Sequence, residues 1–110
     1  MIIIHVEYGY RPDGHERMRR FVPDVEKFCR AFDGCESFTL SFPAQRDDVL
    51  LGTEVWRDAA AVRAHLKVAH DAPELADWHG LITTMDAHFF DGSTLTIEEL
   101  RADPPEGAVS

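Results

Sequence analysis

Apolar runs of period two and apolar stripes of helical period follow one another along this chain in an order that leaves few topologies open. Residues 2–10 (IIIHVEYGY) are β-branched and aromatic, and Arg11-Pro12-Asp13-Gly14 closes them as a turn. Met18, Phe21, Val22, Val25, Phe28, Cys29 and Phe32 then recur at gaps of three and one residues, which is one face of a helix. Pro23 removes a backbone donor inside that stripe, so a kink or restart is expected there. Asp33-Gly34 ends it, with Gly34 suited to a left-handed cap. Residues 35–42 (CESFTLSF) and 49–56 (VLLGTEVW) read as strands around a polar turn. Asp58 is the N-cap candidate for a second helix that runs to about Ala69. Asp71 and Pro73 open a short further helix that Gly80 stops, and residues 81–90 (LITTMDAHFF) form the last strand.

Strand, helix, strand appear twice, joined by a hairpin. That order predicts an α+β fold with a ferredoxin-like βαββαβ split sheet, antiparallel, with both helices on one face. Ile2 to Ile4, Leu50-Leu51 and Phe89-Phe90 put apolar side chains on both faces. An uncovered sheet face of that kind would be a large apolar patch, so a homodimer packed sheet to sheet is expected. The domain spans residues 1–92 and a tail spans 93–110. Ser93 to Ile97 fit an extra strand, on this chain's own sheet or on a partner subunit's, and the end beyond Asp103 is expected to be loose.

A formal charge of −9, with 20 acids against 11 bases, repels phosphate backbones and anionic lipid, so neither nucleic acid nor membrane is an expected partner. Two cysteines, Cys29 and Cys35, are too few for a disulfide framework and match no zinc spacing, which suits a reducing cytoplasm. Met1-Ile2-Ile3-Ile4 lacks a basic flank and meets His5 early, so it reads as a strand rather than a signal peptide. No apolar run approaches the length of a membrane span.

The stretch EVWRDAAAVRAHLKVAH, residues 54–70, brings the pattern into focus. Glu54-Val55-Trp56, the small-residue run Ala59-Ala60-Ala61, Arg63-Ala64-His65-Leu66 and His70 together resemble the antibiotic biosynthesis monooxygenase family of dimeric α+β barrels, its quinol monooxygenase-like members in particular. The turn at residues 11–15 and the Gly34-Cys35 helix stop also fit, so the resemblance covers residues 1–90. It implies cofactor-free oxygenation of a quinol or hydroxylated aromatic, with molecular oxygen as co-substrate and no metal or flavin. The resemblance does not extend to haem degradation. Relatives of that type rely on a strand-one asparagine, and this chain contains none. Polyketide-tailoring members use an asparagine where Gly52 stands here, so only Trp56 carries over from that set. The same fold also hosts isomerases and lyases that need a base but no oxygen, and non-catalytic small-molecule binders.

Such chemistry asks the protein for an apolar pocket and one base of near-neutral pKa, which an unshifted histidine supplies. His65 is the first candidate, at the edge of the helix's apolar arc; locking a loop through a backbone carbonyl is its other reading. His70 lies about 140° further round, so the pair is not expected to share a ligand, and capping near Asp71 suits it better. Trp56 is either an aromatic wall for the substrate or core packing. Glu54, on the same strand face, is an orienting or proton-accepting carboxylate, or else a dimer contact. Tyr8, Trp78 and His79 are candidates for the pocket wall, and Tyr8 and Tyr10 for hydrogen bonds to a substrate oxygen. His5, Asp86 and His88 form a second group, which could bind metal or relay protons, or else seal the dimer interface.

Overall fold

The computed structural model describes residues 1–102 of the chain. Strand β1 (Ile2–Tyr10) leads through a 3-10 turn at Pro12–Gly14 into helix α1 (His15–Arg30). Strands β2 (Cys35–Ser41) and β3 (Val49–Trp56) follow, then α2 (Ala59–Ala69), a 3-10 turn at Pro73–Leu75, α3 (Ala76–Leu81), β4 (Ile82–Asp91) and the short helix α4 (Ile97–Arg101). The sheet order is β2-β3-β1-β4, antiparallel throughout, which is the ferredoxin-like arrangement expected from the sequence. No helix among the described residues is long and apolar enough to cross a membrane.

Local signals account for most boundaries. The Asp58 carboxylate accepts from the Ala61 amide at 2.9 Å, satisfying one orphan donor of α2. Gly34 takes φ +85° after α1, a conformation that favours glycine because it lacks a Cβ. Pro23 does not restart the helix: α1 runs unbroken from His15 to Arg30, anchored by the buried side chains of Met18, Val22, Val25 and Cys29. Packing of that stripe outweighs one missing backbone bond. Gly80 does not end α3 either, which continues to Leu81.

Alternation along β1 sends Ile4, Val6, Tyr8 and Tyr10 toward the helices, where they meet Leu50 and Trp56 of β3 and Phe38 and Leu40 of β2 in one core. The edge strand β2 is tied to α1 by side chains. The Arg30 guanidinium donates to the Phe38 carbonyl at 2.8 Å, and the Glu26 carboxylate accepts from the Leu40 amide at 2.9 Å. These bonds occupy edge groups that would otherwise offer a template for pairing.

The helices do not cover the sheet evenly. Strand β4 pairs with β1 so that Met85, Ala87 and Phe89 stand opposite Tyr8, Val6 and Ile4 on the helix side, yet Met85 and Phe89 remain exposed. The opposite face is mixed rather than uniformly apolar. Ile3, Leu51, Val55 and Phe90 share it with His5, Glu7, Thr53, Asp86 and His88.

Ser93 to Ile97 form no strand. Thr96 instead caps α4, its hydroxyl oxygen accepting from the Glu99 amide at 3.1 Å. With no neighbouring strand to supply ladder bonds, the local capping pattern decides. The expectation for the end beyond Asp103 lies outside the described residues.

Candidate active site

Because β4 lacks a helical cover, an open cavity of about 590 Å³ lies between the helix side of β1 and β4 and the helices α2 and α3. That volume falls within the range of small-molecule sites. Tyr8 and Glu54 rise from the sheet floor, His65 and Leu66 come from α2, and Trp78 and His79 from α3. Met85, Ala87 and Phe89, which sequence reasoning did not single out, complete the β4 side. Their register opposite Tyr8, Val6 and Ile4 was the signal that could have found them. Among the described residues no lysine or arginine lines the cavity.

At the inner end of the cavity, strand alternation places Glu54 and Trp56 on one face. The Trp56 indole N–H donates to Glu54 Oε1 at 2.8 Å. Trp56 is fully buried and is not among the lining residues, so it stands behind the cavity rather than forming its wall. The His65 ring lies over this indole, centroids 4.6 Å apart and tilted by 31°, with Phe32 edge-on at 4.8 Å. Glu54 therefore orients the indole, and the indole supports the imidazole.

His65 is 6% exposed, and its Nδ1 is fully buried with no hydrogen-bond partner among the described residues. A satisfied structural histidine would have one. Burial pushes its pKa down to about 4, because the charged imidazolium is poorly solvated there. His65 is thus not the unshifted group expected from the sequence; at neutral pH it is an uncharged ring.

Burial has the opposite effect on the acids around it. It raises the Glu54 carboxyl above its ordinary value, and the indole N–H partly offsets this by bonding the charged form. The Tyr8 phenol is raised by burial, then by the Glu54 charge. The Cys29 thiol is pushed up to about 12, chiefly by burial, and stays protonated. The inner cavity thus combines an uncharged imidazole, a protonated phenol and thiol, and a single reluctant carboxylate, and it presents no lysine or arginine to an anionic guest.

Tyr8 meets Trp78 edge to face at 5.1 Å, and the Trp78 indole N–H points to the Met18 sulfur at 3.0 Å. His79 lies beside Trp78 nearer the mouth, its pKa lowered by burial and then by the His70 charge. His70 caps α2 at the rim, exposed and 4.0 Å from Asp71. Tyr10 is removed from this cavity, its hydroxyl bonded to His15 Nδ1 at 2.7 Å. Gly52 leaves no room for a side chain: a Cβ would lie 2.6 Å from Val6 Cγ1.

The second group does not join this site. His5 pairs with His88 across β1 and β4 on the opposite sheet face, and His88 Nε2 lies 3.3 Å from Asp86 Oδ2. Among the described residues no group of three or more His, Cys, Asp or Glu side chains is placed to hold a metal ion.

Comparison with known proteins agrees with the architecture. The model of the antibiotic biosynthesis monooxygenase family matches residues 1–78. A Deinococcus radiodurans protein provisionally named an antibiotic biosynthesis monooxygenase superposes with a TM-score of 0.75 at 20% identity, covering 88% of this chain and 98% of that one. Rv0793 from Mycobacterium tuberculosis gives 0.70 at 22% identity, over 86% and 96% of the two chains. A variant of SnoaB, a cofactor-independent oxygenase from Streptomyces nogalater, gives 0.66 at 17% identity, over 87% and 96%. No curated protein matches the sequence. With the family model covering most of the chain and the sheet order agreeing, this protein belongs to the antibiotic biosynthesis monooxygenase family, which supports a monooxygenase-like role in general terms.

Proposed function

We propose that the protein is a cofactor-independent monooxygenase acting on a neutral quinol or hydroxylated polyaromatic, and that it works as a homodimer packed through the sheet face that carries Phe90 and Leu51. The observation that carries the catalytic reading is His65: an uncharged imidazole, almost fully buried with Nδ1 unpartnered, beside an apolar cavity that contains no lysine or arginine.

His65 acts as the base. Its low pKa makes it a weak acceptor in the empty cavity, but a guest changes the balance. Moving a proton from a phenolic or benzylic position to the ring creates an imidazolium beside an anion, and their attraction in a low-dielectric site offsets the desolvation cost. The electron-rich anion then passes one electron to oxygen, and the resulting radical and superoxide combine at carbon. Loss of water leaves one oxygen atom in the product as a carbonyl. The substrate supplies two electrons and two hydrogens, so no bound redox group is needed. The cavity's contribution is positioning and exclusion of bulk water. Glu54 holds the Trp56 indole beneath His65 and spreads the charge that develops there. Tyr8 hydrogen-bonds the substrate oxygen, and Trp78 and His79 form the outer aromatic wall.

Oxygen uptake with a panel of hydroquinones and anthrones tests this directly. The expected result is one oxygen consumed and one oxygen atom incorporated per product formed (a hydroxyquinone from a hydroquinone, an anthraquinone from an anthrone) without hydrogen peroxide, lost in His65→Ala. Equal uptake by wild type and variant would overturn the assignment. Turnover of the same panel without oxygen would instead mark an isomerase or lyase.

A further inference from the structure

The cavity is open on one side, and the chain carries an unused apolar element of suitable character. Residues 93–102 are all exposed, including Leu95, Ile97 and Leu100 at 56%, 54% and 63%. Ile97 and Leu100 are three apart and share one side of α4, while Glu98 and Glu99 lie toward the other. Three large apolar side chains on so short a segment are costly in water, and a five-residue helix is not stable without packing.

This arm leaves the sheet at the start of β1, where the Gly92 amide donates to the Met1 carbonyl at 2.9 Å. From there every residue of the arm from 93 to 102 is exposed. The radius of gyration is 16.8 Å and the longest dimension 54 Å, whereas a compact domain of this length has a radius near 13 Å, roughly. Its own core therefore does not receive it.

The matching unpartnered surface is the cavity mouth. Leu66, Met85 and Phe89 stand around it at 51%, 65% and 55% exposure, and all three line the cavity. Arg63 and Lys67, on the exposed side of α2 next to Leu66, give this rim a positive border. An arm with an apolar face and two flanking glutamates complements an apolar mouth with two flanking bases.

We propose that the arm of one copy closes the cavity of a second copy, with Leu95, Ile97 and Leu100 packed over Met85 and Phe89, and Glu98 and Glu99 facing Arg63 and Lys67. Each site is then incomplete without its partner. The inference rests on the dimeric reading above but not on the oxygenase chemistry.

Two measurements on the full chain test it. Two versions of different mass, both with Cys35→Ser, carry Ile97→Cys in one and Phe89→Cys in the other; they are mixed, oxidised and separated without reductant. A disulfide joining the light and heavy versions is expected. A third version carries Ile97→Cys, Phe89→Cys and Cys35→Ser on one chain: an intrachain link there without any link between the light and heavy versions would show the arm folding onto its own mouth, and no link in either preparation would show that it docks elsewhere; either overturns the proposal. Separately, Leu95→Glu, Ile97→Glu and Leu100→Glu together should weaken 1-naphthol binding roughly tenfold, as expected for losing an aliphatic cover, with the sedimenting mass still that of a dimer. Unchanged 1-naphthol affinity would remove the arm from the site. Neither readout requires turnover, so oxygen uptake that survives a failed cross-link would sink the arm alone.

Discussion

The His65 imidazole lies over the Trp56 indole with centroids 4.6 Å apart, while its Nδ1 has no partner among the described residues. A ring held in place by packing rather than by hydrogen bonds should be replaceable without loss of structure. His65→Phe is expected to melt at the same temperature as wild type or a few degrees higher, because it removes a buried unsatisfied polar atom worth about 1–3 kcal/mol. Oxygen uptake should fall by roughly 10²–10⁴, the usual contribution of a general base. Calorimetry and an oxygen electrode on the same preparation check both.

The depressed His65 pKa of about 4 fixes a sign for stability against pH. Between the unfolded value near 6.5 and the folded value, the unfolded chain binds a proton that the folded chain refuses. Stability therefore falls as pH drops through that window, by about 3 kcal/mol in all. Glu54 works in the other direction: its raised pKa means that protonation on acidification relieves a buried charge. The difference between wild type and His65→Phe isolates the histidine. It should change in the variant's favour as urea titrations move from pH 7 to pH 5, and a constant difference would contradict the burial argument.

Catalysis should carry the same signature. An exposed histidine base would lose kcat/KM below about pH 6.5. With the free-enzyme pKa at about 4, kcat/KM for a hydroquinone should instead stay level to pH 5 and decline only beyond it. Rates corrected for the spontaneous oxidation of the quinol at each pH provide the check.

Glu54 accepts the Trp56 indole N–H at 2.8 Å. Glu54→Gln keeps an acceptor there and removes the buried charge, so stability at neutral pH should be unchanged or higher. Glu54→Ala leaves the indole N–H buried without a partner and should cost about 1–3 kcal/mol. Chemical denaturation followed by tryptophan fluorescence separates the two.

The sheet face that carries Phe90 and Leu51 is the proposed dimer surface, and both side chains are exposed in the single chain, at 51% and 39%. Leu51→Glu with Phe90→Glu would place four carboxylates across a two-fold contact. The expected result is a monomer in sedimentation velocity at micromolar concentration, with far-UV circular dichroism retained.

The parts of this molecule governed by neighbours in sequence were legible before its coordinates. Asp58 as a cap, Gly34 as a left-handed stop and the alternation of β1 each depend on a few adjacent residues. Face assignment was legible too, since Glu54 and Trp56 do share one side of β3. What alternation could not show was depth. Whether Trp56 lines the cavity or lies behind it depends on where α2 places His65, which is decided by packing between elements distant in sequence. The same holds for Met85 and Phe89: their pattern marked them as apolar, but not that the helices leave them bare. Around Ile97 the sequence carries a capping signal, Thr96 followed three residues later by Glu99, that the structure obeys in place of the extra strand.

Strand β4 pairs with β1 at the edge of the sheet, and of its inward side chains only Ala87 packs against the core while Met85 and Phe89 stay exposed. The matched family region also stops short of it, at residue 78. Bulk or polarity at positions 85 and 89 can therefore drift with little penalty to the core of the chain. On the function proposed above, new guests become accessible by remodelling two positions of one strand, with the imidazole and its indole support left intact.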